Sequence, residues 1–591
     1  MSNQKRFWSF MGFLAVMVLA VAVPVHAQID PVSLPPDFFT YTITGNGETS
    51  EGYYYIDLRA ANRATGQSTY YMFIMDAEGE VYYYKRGEGI VVADFIAFPD
   101  ANKMVYTLGP GNNTEMIYVM DDTYTVIDSL NSFDDLDIDG HEILAMSDGT
   151  YWTEYWRDYE IDMSEVIEGG LEDAIIRSHV ILHLDAEHNI IWEWDSYDHL
   201  EELPLSDYDN QDGLLREEFE HLHTNAIEID TDGNILLSNR TMSLVIKVKY
   251  GAGDGYEDGD VMWRLGGGSG NQFTFIDDLE QGAFTAQHDI RRLANGNITV
   301  FDNGTLHDPP TAYGREYQLD EENLTATLIW AFHHEEQFAA GSTGSTRRLS
   351  NGNTLIGWGN GTPIGATEVT SEGATAWEFV PDSTNGVVTG SYRYTKSTMI
   401  GVAARPYIVA NAGEGQATVY LNYFGHDDIA SYDVTYTNDN SGAVVTQNVT
   451  DNVLTLESLV NGDTYNIVAV AYDSDGNASE GSNLFQVTPM ENSVEDRTGT
   501  ITPSQFTLQG NYPNPFNPST TVTLRMNQPG NMAVRVFDLL GREVATLQEG
   551  QLSAGQHRFL FQPQNLASGV YFVRAESTAG IMQSNKMLYL R

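Results

Sequence analysis

Apolar and polar residues alternate in short runs along most of the chain, and Gly, Asn and Asp cut the runs apart. Tyr53–Leu58 and Val81–Tyr84 are two of them. A period of two marks a half-buried strand, so residues 38–402 read as strand after strand. Two phrases recur within this span. The first is a strand, a tight turn and a return strand, with turns at Asp148-Gly149-Thr150, Asp232-Gly233-Asn234, Asn295-Gly296-Asn297 and Asn351-Gly352-Asn353. Asn-Gly and Asp-Gly pairs close hairpins because both tolerate a positive φ. The second phrase reads apolar-apolar-Trp: Ile190-Ile191-Trp192, Val261-Met262-Trp263 and Leu328-Ile329-Trp330, with Thr375-Ala376-Trp377 as a degenerate copy. The phrases alternate, and such repetition predicts radial blades of antiparallel strands, a β-propeller over 38–402. Two blades ahead of residue 131 bring the predicted count to six. A large β-sandwich, or a pair of them, is the competing arrangement.

The repeats also align chemistry. Eight positions before each turn glycine stand His141, Asn225, His288 and Gly344, and seven positions after stand Trp156, Arg240, Asn303 and Gly359. Residues two apart on a strand share a face, which sets His223 beside Asn225. The prediction is one ring containing His141, His223, Asn225, Arg240, His288 and Asn303. Neighbours on a strand face opposite ways, so Asp289 is not expected to orient His288.

Composition narrows the possibilities. A chain of 591 residues is too long for one core and predicts several domains. Acidic residues number 83 against 30 basic, a formal charge of −53, which argues against nucleic acid or an anionic membrane as partner. There is no cysteine, hence no disulfide and no Cys-ligated metal. Residues 1–27 read as a secretory signal: Lys5 and Arg6, an apolar run from Phe10 to Val23, then Val25-His26-Ala27 before a cleavage point at Gln28. No later stretch is long and apolar enough to span a bilayer, so no membrane span is expected in the mature chain.

Residues 405–490 change character. Leu459, Gly462-Asp463-Thr464-Tyr465 and the alternating Ile467, Ala469 and Ala471 resemble a fibronectin type III module, with Tyr465 as its tyrosine corner. Residues 491–502 form a polar linker. Residues 503–591 resemble the C-terminal sorting domain of type IX secretion cargo. The matching text is Asn511-Tyr512-Pro513-Asn514-Pro515-Phe516, then Val536–Val544, then Ser568-Gly569-Val570-Tyr571-Phe572-Val573 and a basic end at Lys586. This resemblance implies export by the type IX machinery across the outer membrane of a Gram-negative cell, to the medium or the cell surface. The fold class expected overall is all-β: a six-bladed propeller followed by two small β-sandwich domains.

Histidines gathered at one end of a propeller admit three readings. In the first, each imidazole simply bonds backbone at a strand end. In the second, a metal sits between His221 and His223 on one side of a strand. In the third, a neutral imidazole attacks an electrophile while cationic donors hold the transferred anion. Arg240 favours the third, since a guanidinium repels a dication but clamps a tetrahedral oxyanion. Residues 130–380 resemble the bacterial arylsulfate sulfotransferases that do not use the nucleotide sulfate donor. The matching residues are His141-Glu142, His223-Thr224-Asn225, Leu237–Arg240, Trp263–Gly267, Gln287-His288-Asp289, Phe301–Gly304 and Asn351–Gly359. The resemblance implies a six-bladed propeller that moves a sulfuryl group from a phenolic sulfate ester to a phenol through a sulfohistidine, with no cofactor. It implies His288 as nucleophile, His223, Asn225 and Arg240 on the sulfuryl oxygens, His141 as acid or base, and Thr343 as an extra contact. Asn303, at the ring level, is expected to face substrate. The chain departs from the best-known members in lacking cysteine and in carrying two appended domains. Two rival readings stand beside it: a metal-dependent propeller enzyme, and a non-catalytic surface propeller used for ligand binding or adhesion.

Overall fold

The computed structural model describes residues 32–489 and 506–589, apart from 46, 63–67, 88–90, 110–115, 206–213 and 383–385 in the first range and 513–515, 517, 527–529, 539–542, 554, 564–565, 567–568 and 578–581 in the second. The signal-peptide and linker expectations, 1–27 and 491–502, lie outside the described residues. By its contacts the chain divides into two units, 1–491 and 492–591.

The fold is all-β. Among the described residues no α-helix occurs and the helical turns are short 3-10 segments. Between Tyr41 and Ser397 the strands form six sheets of four or more strands. The third to sixth begin with Asp137–Ala145, Thr224–Ile229, His288–Arg292 and Ser345–Arg348, and each runs outward through three more antiparallel strands. The first strands of successive sheets touch one another from Val91–Phe98 through to Ser345–Arg348, so they line a common axis. This cyclic order is that of a β-propeller. Two pairings close the ring. Tyr41–Thr44 joins the sixth sheet beside Thr375–Pro381, and Gly386–Thr389 and Thr395–Ser397 pair with Tyr53–Asn62 of the first. Tyr54 stacks on Trp377 across this seam, with ring centroids 3.8 Å apart.

The two sequence phrases have separate physical jobs. The turn glycines 149, 233, 296 and 352 connect the first two strands of the third to sixth sheets, with φ between +82° and +93°. That is backbone which L side chains rarely adopt, and it explains Gly at this one position of every copy. The Trp phrases are the fourth strands, Ile190–Asp195, Val261–Gly266, Thr325–Phe332 and Thr375–Pro381, and the last two are flanked further out by Thr274–Ile276 and Tyr41–Thr44.

The innermost strands carry matched irregularities. Pairing with the second strand slips between Ala93 and Ile96, between Asp139 and Ile143, between Thr224 and Ala226, and between His288 and Arg291. Such bulges re-aim side chains and break the alternation of faces. The polar residues among those freed from the ladder are Asp94, His141 with Glu142, Asn225, and Asp289, one group from each of four sheets.

Residues 407–487 form sheets of three and four strands with a shared core. The Tyr465 hydroxyl accepts the Val460 N–H at 2.8 Å, tying the turn ahead of its strand. This sandwich shares its core with the first sheet: Tyr84 lies 5.7 Å from Tyr407 and Tyr83 lies 4.9 Å from Phe424. The second unit is also a sandwich of three and four strands, Phe506–Tyr512 to Met582–Tyr589, closed on Phe516, Val522, Leu524, Val534, Val536, Val573 and Met587.

Candidate active site

His288 opens the first strand of the fifth sheet and is 1% exposed. Its Nδ1 lies 2.7 Å from Asn303 Oδ1. The Asn303 amide nitrogen donates to the carbonyl oxygens of Ala340 and Thr343, so the oxygen is the end turned to the imidazole. Nδ1 therefore carries the proton, and the Nε2 lone pair accepts the Thr343 N–H at 3.1 Å. Burial, followed by the charge of Arg240, holds His288 well below its ordinary titration range. It is a neutral imidazole of fixed tautomer. Thr343 reaches it with φ +59°, and His223, Ala286 and Asp289 are also left-handed, at +50°, +49° and +60°. Non-glycine residues in that region cost about 1–3 kcal/mol each and cluster where geometry serves function.

Two further imidazoles stand at the same end. His141 and His223 lie 4.8 Å apart, and Tyr392 packs 5.6 Å from His141 and 6.2 Å from His288. Both side chains are 22% exposed, which puts the open side of the cluster here. Each has its own acid: Asp139 on His141 Nδ1 and Glu220 on His223 Nδ1. Burial alone would depress His141, but the Asp139 carboxylate outweighs it and raises the ring above its ordinary value. Glu220, against the effect of its own burial, is held far below the usual carboxylate range by His223, with His179 and His141 adding to it. Arg240 donates from Nη2 to the Gly341 carbonyl at 3.2 Å, while its buried Nε has no partner among the described residues.

The structure thus brings His141, His223, Asn225, Arg240, His288, Asn303 and Thr343 to one end of the ring. Three details differ from the sequence reading. Asn303 uses both ends of its amide on protein, which makes it the orienter of His288. Asn225 donates to the Gln287 carbonyl at 2.8 Å, and its own oxygen has no hydrogen-bond partner among the described residues. His221 and His223 do not share a face. His223 precedes its strand in a left-handed conformation, and His221 turns into the protein, bonding Ser196 Oγ at 3.1 Å and the Leu203 carbonyl at 3.0 Å. That pair offers no metal site.

Beneath the imidazoles lies a buried ionic floor. Asp289 takes Arg347 at 2.6 Å, Arg291 at 2.8 Å and Arg393 at 3.3 Å. Glu142 takes Arg291 at 2.5 Å and Arg393 at 3.1 Å, and Arg393 also binds Asp94 at 2.7 Å and the Asn225 carbonyl at 2.6 Å. Burial opposes ionisation of Asp289, but the three guanidiniums hold its carboxyl down at about 2. Among the described residues the Asp289 carboxylate bonds these arginines and the Thr346 N–H, and makes no hydrogen bond to the His288 ring. Sequence reasoning missed Asp139, Glu220, Arg291, Arg347 and Arg393. An acid two residues before His141 and three before His223 was the available signal for the first two; the arginines sit in no motif.

A neutral imidazole lone pair beside a guanidinium, a backbone N–H and a raised-pKa imidazole suits transfer of a small tetrahedral anion between two oxygens. Residues 110–382 match the family model described as "Arylsulfotransferase (ASST)", and 511–589 match "Secretion system C-terminal sorting domain". The chain therefore carries an arylsulfotransferase-family domain and a type IX sorting domain, and it is a secreted or cell-surface, arylsulfotransferase-like protein. The first match stops short of Arg393. No curated protein matches the chain. Among solved structures the chain is similar to the twitchin kinase region from C. elegans, at 16% identity over 16% of this chain and 18% of that one, with TM-score 0.15. It is also similar to the fibronectin type-III domain of human fibronectin type III domain containing protein 3, at 21% identity over 16% of this chain and 91% of that one, with TM-score 0.14. Neither likeness bears on the site. No helix among the described residues is long and apolar enough to cross a membrane.

Proposed function

We propose that this protein is an arylsulfate sulfotransferase that works through a sulfohistidine at His288. The observation that carries the reading is the fixed tautomer: Asn303 holds the proton on Nδ1 and leaves Nε2 as an aimed lone pair. Nε2 attacks the sulfur of a phenolic sulfate ester, the sulfur–phenolic oxygen bond breaks, and His141 gives its proton to the departing phenolate. The transition state resembles loose phosphoryl transfer, with charge on peripheral oxygens. Arg240, His223 and the Thr343 N–H, released from Nε2 as the new bond forms, face those oxygens. An acceptor phenol then gives its proton to His141 and attacks the sulfur, restoring His288. The test is incubation with a chromogenic aryl sulfate, with and without added phenol. Release that depends on phenol is expected; release without it means a sulfatase, and no release with any acceptor refutes the proposal.

Two outcomes follow. Asn303→Ala keeps the nucleophile but frees its ring and tautomer, and kcat/KM is expected to fall by about 10²-fold, with a lower unfolding temperature because the Ala340 and Thr343 carbonyls lose a buried donor. Deleting residues 503–591 is expected to leave activity intact, because the two units have separate cores, and to stop export. Fractionation of cells expressing the truncated chain reads this directly. Arrival of that chain in the medium or at the cell surface contradicts the role given to the sorting domain. We assign 405–490 as the fibronectin type III module, supported by the Tyr465 corner.

A further inference from the structure

We propose that Asp139, Glu154 and His179 form a binding site for a divalent transition-metal cation. The three residues lie on the first, second and third strands of the third sheet. Glu154 pairs with Asp139 across one ladder, and His179 pairs with Trp156, two residues further along, across the next. Alternation brings all three side chains to one face.

Asp139 is 1% exposed, and Glu154 and His179 are 0% exposed. Polar side chains that deep are ordinarily hydrogen-bonded. These are not: both nitrogens of His179, both oxygens of Glu154 and Oδ2 of Asp139 have no hydrogen-bond partner among the described residues. His179 Nδ1 stands 3.7 Å from Asp139 Oδ2 and 3.7 Å from Glu154 Oε2, and one atom from each of the three residues falls within 4.8 Å of the others. A separation of 3.7 Å is too long for a hydrogen bond. It is the distance between two ligands each about 2.1 Å from a shared ion, seen at an angle of roughly 120–125°.

Charge points the same way. A buried carboxylate without a counter-charge costs several kcal/mol. The arginines of the ionic floor are engaged by Glu142, Asp94 and Asp289, and among the described residues the ion-pair neighbour of Glu154 is His179. Asp139 already shares its Oδ1 with His141, so Glu154 is the carboxylate left without a counter-charge, and a dication held between Glu154, Asp139 Oδ2 and the His179 lone pair supplies it. An imidazole in the set favours Zn2+ or Mn2+ over the all-oxygen preference of Ca2+ and Mg2+. Asp139 would bridge, with Oδ1 on His141 and Oδ2 on the ion, as carboxylates do between a metal and a histidine. The proposal does not depend on sulfuryl transfer, and its test reads none.

The experiment uses the full mature chain, purified from cells supplied with zinc and manganese. Elemental analysis is expected to find about one equivalent of metal per chain. After stripping with chelator, the unfolding temperature is expected to rise with added Zn2+ or Mn2+ in the concentration-dependent way that binding to the folded state requires, and not with Ca2+ or Mg2+. Glu154→Gln and His179→Gln are expected to lose the equivalent, while His188→Ala, at a partly exposed histidine elsewhere on the third sheet, keeps it. If neither buried variant folds, the wild-type titration decides. The proposal is overturned by a wild-type chain that takes up no metal and shows no thermal shift, by a response to Ca2+ or Mg2+ alone, or by full metal content in a folded Glu154→Gln protein.

Discussion

Replacing His288 by Asn is expected to abolish both halves of the transfer while leaving the fold in place. The Asn amide nitrogen can take over the bond to Asn303 Oδ1, so the buried hydrogen bond that Nδ1 makes survives. Nothing in Asn replaces the Nε2 lone pair. Loss of a nucleophile leaves only the contribution of positioning and charge, so turnover should fall by roughly 10⁴-fold or more. With the wild type, quenching after donor alone should leave one sulfuryl group on the peptide containing His288, and steady-state kinetics should be ping-pong. Arg240→Lys should keep the adduct but slow its formation by about 10²-fold, because one ammonium cannot reproduce the guanidinium fork. Full turnover by His288→Asn, or a label on another residue, would falsify the mechanism.

The second large effect is on stability. Asp289→Ala removes the acceptor shared by Arg347, Arg291 and Arg393 and leaves buried cations short of charge. Breaking one side of such a buried network costs about 3–5 kcal/mol, read as a lower urea midpoint for the propeller. The same residue sets a pH window. Its folded value of about 2 lies below the ordinary 3.8, so its contribution is fully present above about pH 4 and is lost as the pH falls through 2. Asp289→Asn should lack that part of the acid dependence. An unchanged midpoint for Asp289→Ala, or an identical acid profile for Asp289→Asn, would remove the floor from the account of stability.

The propeller was legible because its signals are local. A turn that needs a positive φ asks for Gly149, Gly233, Gly296 and Gly352, and an outer strand half open to water tolerates Trp192 and Trp330. His141, Asn225 and His288 were legible because they ride at a fixed distance from those turns. What could not be read is where the ladder slips. Three residues between Asp139 and Ile143 leave the pairing, and only then do His141 and Glu142 face different neighbours from those that alternation assigns. His223 was placed beside Asn225 by the same alternation and instead sits ahead of the strand at φ +50°. Arg393 comes from the segment that closes the ring, far from every motif, and nothing local in Ser391–Tyr394 announces it.

The double closure has a consequence for how the chain is made. Thr40 bonds Asp382, 342 positions later, and the inner edge of Tyr53–Asn62 stays unpaired until Gly386–Thr389 and Thr395–Ser397 have emerged. A polypeptide delivered amino end first therefore cannot finish its first sheet until nearly the whole propeller has followed. Contacts this distant in sequence make for late, slow, all-at-once closure, and an open strand edge in the meantime invites pairing with a sister chain. The acidic excess of the chain, 83 acidic residues against 30 basic, is expected to oppose that pairing, since partly made rings of like charge repel one another.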